Sequence, residues 1–129
     1  NMTVDLRASD DDLLTSMHDT FLAQTRELAV RNGVSIDVRQ VVYFPPQPFD
    51  ERLIGAIRAG AGRIGHSEMD VISGAGHDAV YLARVAPTAM IFVPCKDGIS
   101  HNEIEDAKPE HLEAGANVLL HAMLDAANR

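Results

Sequence analysis

The stretch Ser73–Asn102, SGAGHDAVYLARVAPTAMIFVPCKDGISHN, decides how the fold is read. Two loops carrying glycine and histidine bracket one apolar run, Ala89–Val93 (AMIFV), which Pro94 closes. A short apolar run stopped by proline fits a strand buried on both faces, as in a parallel sheet, although periodicity alone fits a helix as well. Read as a strand, it delivers Cys95–Asn102 (CKDGISHN) to its carboxyl end. That is the edge at which open α/β sheets bind their ligands.

Working outward, Met2–Arg7 alternates: Met2, Val4 and Leu6 share one face, and Thr3, Asp5 and Arg7 the other, as in a half-buried strand. A helix is expected over about Asp10–Asn32, with Ser9 as N-cap, Asp10, Asp11 and Asp12 in its first turn, an apolar face of Leu13, Met17, Phe21 and Leu28, and Gly33 as stop. Val34–Tyr43 alternates again, and Pro45, Pro46 and Pro48 then break regular structure. A domain boundary is therefore placed near Pro46, dividing residues 1–45 from 46–129. Strand, helix, strand leave apolar faces uncovered, so the first part has no independent core.

Beyond the boundary, Asp50 is placed to cap a helix with Leu53, Ile54, Ile57, Ala61 and Ile64 at helical spacing, weakened by Gly55, Gly60 and Gly62. A short strand is expected at Met69–Ile72 and a helix at Asp78–Val85. The last helix opens at Pro109 and should carry Leu112, Ala116, Leu119, Leu120, Met123 and Leu124 inward. The expected class is α/β, with a mostly parallel sheet flanked by helices.

The totals exclude several partners. A chain of 129 residues is long enough for one core, and 46% apolar with 23% charged residues is a globular composition. A net charge of -8 with 11 scattered basic residues argues against nucleic acid. No apolar run reaches the roughly 20 residues of a membrane span, and no signal peptide pattern opens the chain. Cys95 is the single cysteine, so no internal disulfide forms and a reducing, cytoplasmic location is expected. The start at Asn1, directly in a strand-like run, reads as that of a fragment.

Three places carry candidate chemistry. His101 follows a buried run, with Asp97, Glu103 and Glu105 near it in sequence; a neutral imidazole is a common metal ligand, but a lone loop histidine is more often simply solvated. Gly74 and Gly76 leave backbone bare beside His77, and a helix starting near Asp78 would aim N–H groups at an anion; a tight turn capped by Asp78 fits the same letters. Arg7 offers a planar guanidinium that suits a free carboxylate, although an outward Arg on a strand is usually solvated. His18, His66, His111 and His121 receive no role, with His18 and His121 placed on helix surfaces. Cys95 reads as a partly buried small hydrophobe rather than a nucleophile, Ser73 and Ser100 lack the GxSxG setting of a nucleophile elbow, and neither nucleotide fingerprint is present.

Taken together, VDLR at Val4–Arg7, PPQPFD at Pro45–Asp50, SGAGHDA at Ser73–Ala79, PTAMIFVP at Pro87–Pro94 and GISHNEIE at Gly98–Glu105 follow one family's order over nearly the whole chain. The chain resembles the hydantoinase/carbamoylase branch of the M20 metallohydrolases, which includes N-carbamoyl-L-amino-acid hydrolases, β-ureidopropionases and allantoate amidohydrolases. The resemblance implies that residues 1–45 are the second half of a small β-α-β lid and dimerisation domain, and that residues 46–129 are the C-terminal part of the catalytic domain. It implies hydrolysis of the C–N bond of an N-carbamoyl amino acid at a centre of two divalent metals, zinc, manganese or cobalt, in a homodimer. His101 stands at the position of a metal ligand, Arg7 at that of the arginine that clamps the substrate carboxylate, and Gly76 and His77 where the substrate is contacted.

The chain departs from that pattern. The family's HxD-type segment, its paired glutamates and its second metal histidine have no counterpart here, and Glu103 stands where the family often has proline. No catalytic residue is therefore expected within these residues, and the chain alone is expected neither to bind metal tightly nor to catalyse. The alternatives are an allantoate amidohydrolase, which the same resemblance implies, or a free-standing dimerisation or anion-binding module.

Overall fold

The computed structural model describes residues 1–128. They form the helices α1 (Asp11–Asn32), α2 (Glu51–Arg63), α3 (Asp78–Leu82) and α4 (Pro109–Ala127), with a 3-10 turn at Lys96–Gly98. The chain divides into two compact units, one of Asn1–Gln47 with Ile72–Ala75, the other of Pro48–Val71 with Gly76 onward.

In the first unit, α1 starts at Asp10 rather than at the expected cap, Ser9. The Asp10 carboxylate accepts the Leu13 N–H at 2.8 Å, while the Ser9 hydroxyl lies 3.2 Å from the other carboxylate oxygen. An ionised acceptor wins this contest, because it also faces the positive end of the helix. At the other end Gly33 takes φ 63°. The Val34 N–H bonds to Ala29 O at 3.1 Å and the Gly33 N–H to Val30 O at 3.3 Å, closing the last turn. The Tyr43 hydroxyl donates to the Asp11 carboxylate and ties the following segment back to the first turn of α1. That bond holds the Tyr43 hydroxyl above its ordinary pKa of 10.0.

The strands expected at Met2–Arg7, Val34–Tyr43, Met69–Ile72 and Ala89–Val93 are not formed: no described residue lies in a β-strand. Alternation and β-branching make a segment suitable for a sheet, but a strand exists only when a neighbour takes its N–H and C=O groups. None of these segments finds that neighbour among the described residues. The apolar side chains follow suit: Met2, Val34, Val42, Met69 and Ile72 are exposed. The parallel sheet inferred from sequence is thus absent from these residues.

In the second unit, the Asp50 carboxylate caps α2 as expected, accepting from Arg52 N at 3.0 Å and Leu53 N at 3.1 Å. Its own N–H donates to Thr88 O at 2.9 Å, joining the start of α2 to the residue before the apolar run. Helices α2 and α4 pack together through small residues: Ala56, Gly60, Ala61, Val118 and Ala122 are the buried set. A Cβ added at Gly60 would lie 3.2 Å from the His121 Cβ and 3.3 Å from Val118 O, so this glycine sets how closely the helices approach. His121 is accordingly half-buried at that contact, and His18 is half-buried too, rather than riding free on a surface.

The leucines of α4 do not turn inward as expected. Leu112, Leu119, Leu120, Met123 and Leu124 are all at least half exposed, and Val118 and Ala122 take the core instead. The leucine-rich face borders an apolar groove of about 450 Å³, with Ile57, Ile91, Val93, Leu112, Leu119 and Met123 on its walls. A helix with apolar residues on two faces needs two partners, and α2 covers only one. Helix α3 is shorter than the expected Asp78–Val85, ending at Leu82, with a turn closed by the Ala86 N–H on Leu82 O at 2.9 Å.

Candidate functional site

Arg7 belongs to the first unit. Its Nη1 donates to Gly74 O, joining residues far apart in sequence, while Nε and Nη2 donate to one oxygen of Asp5 at 3.0 and 2.6 Å. Asp5 and Arg7 share a side of the chain because they are two residues apart in a non-helical segment. The pair is well exposed, 62% for each side chain, and its worth is limited by solvent screening. The hydrogen bond from Arg7 still holds the Asp5 carboxyl below its ordinary value, and the same bond holds Arg7 above its own. Three of the five guanidinium N–H groups are used in these bonds, which leaves donors for a further carboxylate. Gly74 packs on the same side chain: a Cβ there would sit 3.8 Å from the Arg7 Cδ.

Gly76 and His77 belong to the second unit. Gly76 has open space around the position of a Cβ and no left-handed backbone, so neither packing nor φ demands glycine there. Its backbone is simply bare. His77 is the N-cap residue of α3 but makes no side-chain capping bond. Its half-buried ring stands edge-on to Phe92, with centroids 5.6 Å apart at 62°. The ring is thereby seated on the apolar run itself. The expected cap, Asp78, lies instead in the first turn.

His101 lies in the loop that follows that run. The loop is pinned at its base by the Lys96 N–H on Asp106 O at 2.7 Å. Inside it Asp97 and His101 both take φ 54°, and Gly98 takes 68°. A left-handed backbone costs a residue bearing Cβ about 1–2 kcal/mol, and such positions concentrate at working sites. The His101 N–H is held by Glu105 Oε2 at 2.8 Å, and the Cys95 thiol lies 4.0 Å from Glu105 Oε1. Cys95 is half-buried, as expected for a small hydrophobe.

Two contributors escaped the sequence reading. His111 received no role, yet its Nδ1 lies 3.3 Å from Pro94 O and fastens the end of the apolar run to α4. Glu105 was noted only as a neighbour of His101, and nothing in its spacing signals that its carboxylate grips the backbone N–H. Asp5 left a trace, because it shares the polar alternation with Arg7.

A catalytic zinc site needs about three protein ligands. Among the described residues, no three His, Cys, Asp or Glu side chains are grouped to hold a metal ion. The carboxylate beside His101 is engaged with the His101 N–H. The described residues therefore group no complete ligand set for a metal centre.

Residues 4–125 match the peptidase family M20/M25/M40, and the chain belongs to that family. Its likeness extends to particular members. It is 44% identical over 125 residues to an N-carbamoyl-L-amino-acid amidohydrolase of Rhizobium meliloti, covering 97% of this chain and 30% of that one. It is 32% identical over 117 residues to an allantoate amidohydrolase of Bacillus subtilis, covering 91% of this chain and 28% of the relative. Among solved structures, it is 51% identical, with a TM-score of 0.89, to a hydantoinase/carbamoylase family amidase from Burkholderia multivorans, covering 92% of this chain and 29% of that one. The chain thus spans about 30% of the length of the curated relative. Among its described residues, no helix is long and apolar enough to cross a membrane.

Proposed function

We propose that this chain is one part of a metal-dependent amidohydrolase that cleaves the C–N bond of N-carbamoyl-L-amino acids. The observation that carries the reading is the 44% identity to an N-carbamoyl-L-amino-acid amidohydrolase over 97% of the chain. The reaction adds water to the carbamoyl group and releases the amino acid, carbon dioxide and ammonia. Such a substrate keeps its α-carboxylate, and the free N–H groups of Arg7 supply the planar donor that a carboxylate takes bidentately. The backbone of Gly76 and the ring of His77 contact the substrate, and His101 is this chain's one contribution to the ligands of a divalent metal, zinc, manganese or cobalt. The remaining ligands and the general base come from outside these residues. Residues 1–45 act as half of a lid through which two copies pair, and residues 46–129 as part of the catalytic domain.

Allantoate is the second substrate reading, favoured by the 32% identity to an allantoate amidohydrolase. Both are tested on the whole protein that contains this chain, with a panel of N-carbamoyl-L-amino acids, β-ureido acids and allantoate, alongside metal analysis. Hydrolysis of N-carbamoyl-L-amino acids is the expected result. Turnover of allantoate alone would replace the first reading by the second, and hydrolysis by the 129-residue chain alone would overturn the partition of the site.

A further inference from the structure

We infer that Glu105 is a positioning residue that fixes the direction in which His101 presents its imidazole. The inference rests on the proposed role of His101 only for its functional consequence, not for its geometry.

The turn from His101 to Glu105 is closed in both directions. The Glu105 N–H donates to Asn102 O at 3.0 Å, which holds the Glu105 backbone, and its carboxylate reaches back to accept the His101 N–H at 2.8 Å. Between them, the Asn102 side chain accepts the Ile104 N–H at 3.2 Å. His101 is the residue in this turn that bears a Cβ and still takes a left-handed φ of 54°. Where Cβ leaves the backbone depends on φ, so release into the right-handed or extended region would swing the imidazole to another side of the loop. The bond from Glu105 acts on the very N–H that such a rotation would move. An ionised acceptor makes that bond stronger than a neutral one. Because one oxygen of this carboxylate holds the backbone N–H and the other lies 4.0 Å from the Cys95 thiol, its part is to aim the ring rather than to stand beside it.

The test compares Glu105→Ala with Glu105→Gln by NMR in the whole protein that contains this chain. A positive φ gives a strong intraresidue cross-relaxation between amide proton and Hα, which reports the His101 backbone directly. Glu105→Ala is expected to abolish that signal and to speed exchange of the His101 amide about tenfold, the measure of one hydrogen bond to a charged group. Glu105→Gln keeps a carbonyl oxygen that can accept the same N–H and should retain the signal, with exchange within about threefold of the parent, the difference between charged and neutral acceptors. An unchanged His101 signal in Glu105→Ala overturns the inference, as does a loss of protection spread equally through α4, which would make Glu105 a general stabiliser. The role of His101 is tested apart, by broadening of its ring protons by Mn(II) in the whole protein. Absence of broadening there defeats the proposed ligand while the backbone result stands; broadening with an unaltered backbone in Glu105→Ala defeats Glu105 alone.

Discussion

At the scale of single residues, the Asp5–Arg7 pair offers a test through pH. Asp5 is held below its ordinary value of 3.8, first by the hydrogen bond from Arg7 and then by its charge. A carboxyl whose folded value is depressed contributes stability above its unfolded value and loses it as pH falls through the folded one. The Arg7 Nε–H resonance should therefore move with a midpoint below 3.8, and Asp5→Asn should remove that step. A midpoint at or above 3.8 would show that the pair does not form in solution. Salt should weaken the effect, since both side chains are exposed. Arg7 was legible in the sequence as an outward cation, but its bond to Gly74 O was not, because a contact across so many residues leaves no local periodicity.

At the scale of elements, glycines in two helices separate propensity from packing. Replacing a helix-interior glycine by alanine gains about 1 kcal/mol from the backbone. At Gly55 of α2 nothing lies within 4 Å of the added Cβ, so Gly55→Ala should raise the urea midpoint of the helical circular dichroism signal. At Gly115 of α4 the Cβ would meet the Val93 Cγ1 at 2.6 Å. Valine is stiff at χ1, so overpacking of about 1–3 kcal/mol outweighs the gain, and Gly115→Ala should lower the midpoint. A rise in both variants would mean that the apolar run does not lie against α4. The ends of these helices were readable because caps are local: Asp50, Pro109 and Gly33 stand where the structure uses them. The inward face of α4 was not, because its leucines and its Val118–Ala122 pair have equal apolar claims, and which face is buried depends on what lies opposite. The strands failed for the same reason in stronger form, since a ladder is a property of two segments and alternation describes only one.

At the scale of the molecule, the quantity that matters is surface. Large apolar side chains are left open in each unit: the leucine face of α4 in one, the alternating segment after α1 in the other. Water contact at so much apolar surface is unfavourable by about 25 cal/mol per Å², and among the described residues only a few small side chains are buried from it. On the reading that the chain is part of a larger amidohydrolase, that surface is where the rest of the protein packs. The 129-residue chain alone should then bind an apolar dye such as anilinonaphthalene sulfonate with strong fluorescence enhancement and should lose its helical signal over a broad range of urea. The whole protein should bind the dye weakly and unfold in a sharper transition. Introducing Leu119→Glu, which places a charge in the groove, should leave the helical signal of the chain alone unchanged while sharply lowering soluble yield of the whole protein. Equal yields for the parent and this variant would mean that nothing packs on that face, and the chain would then have to be read as a module that functions with its leucines in water.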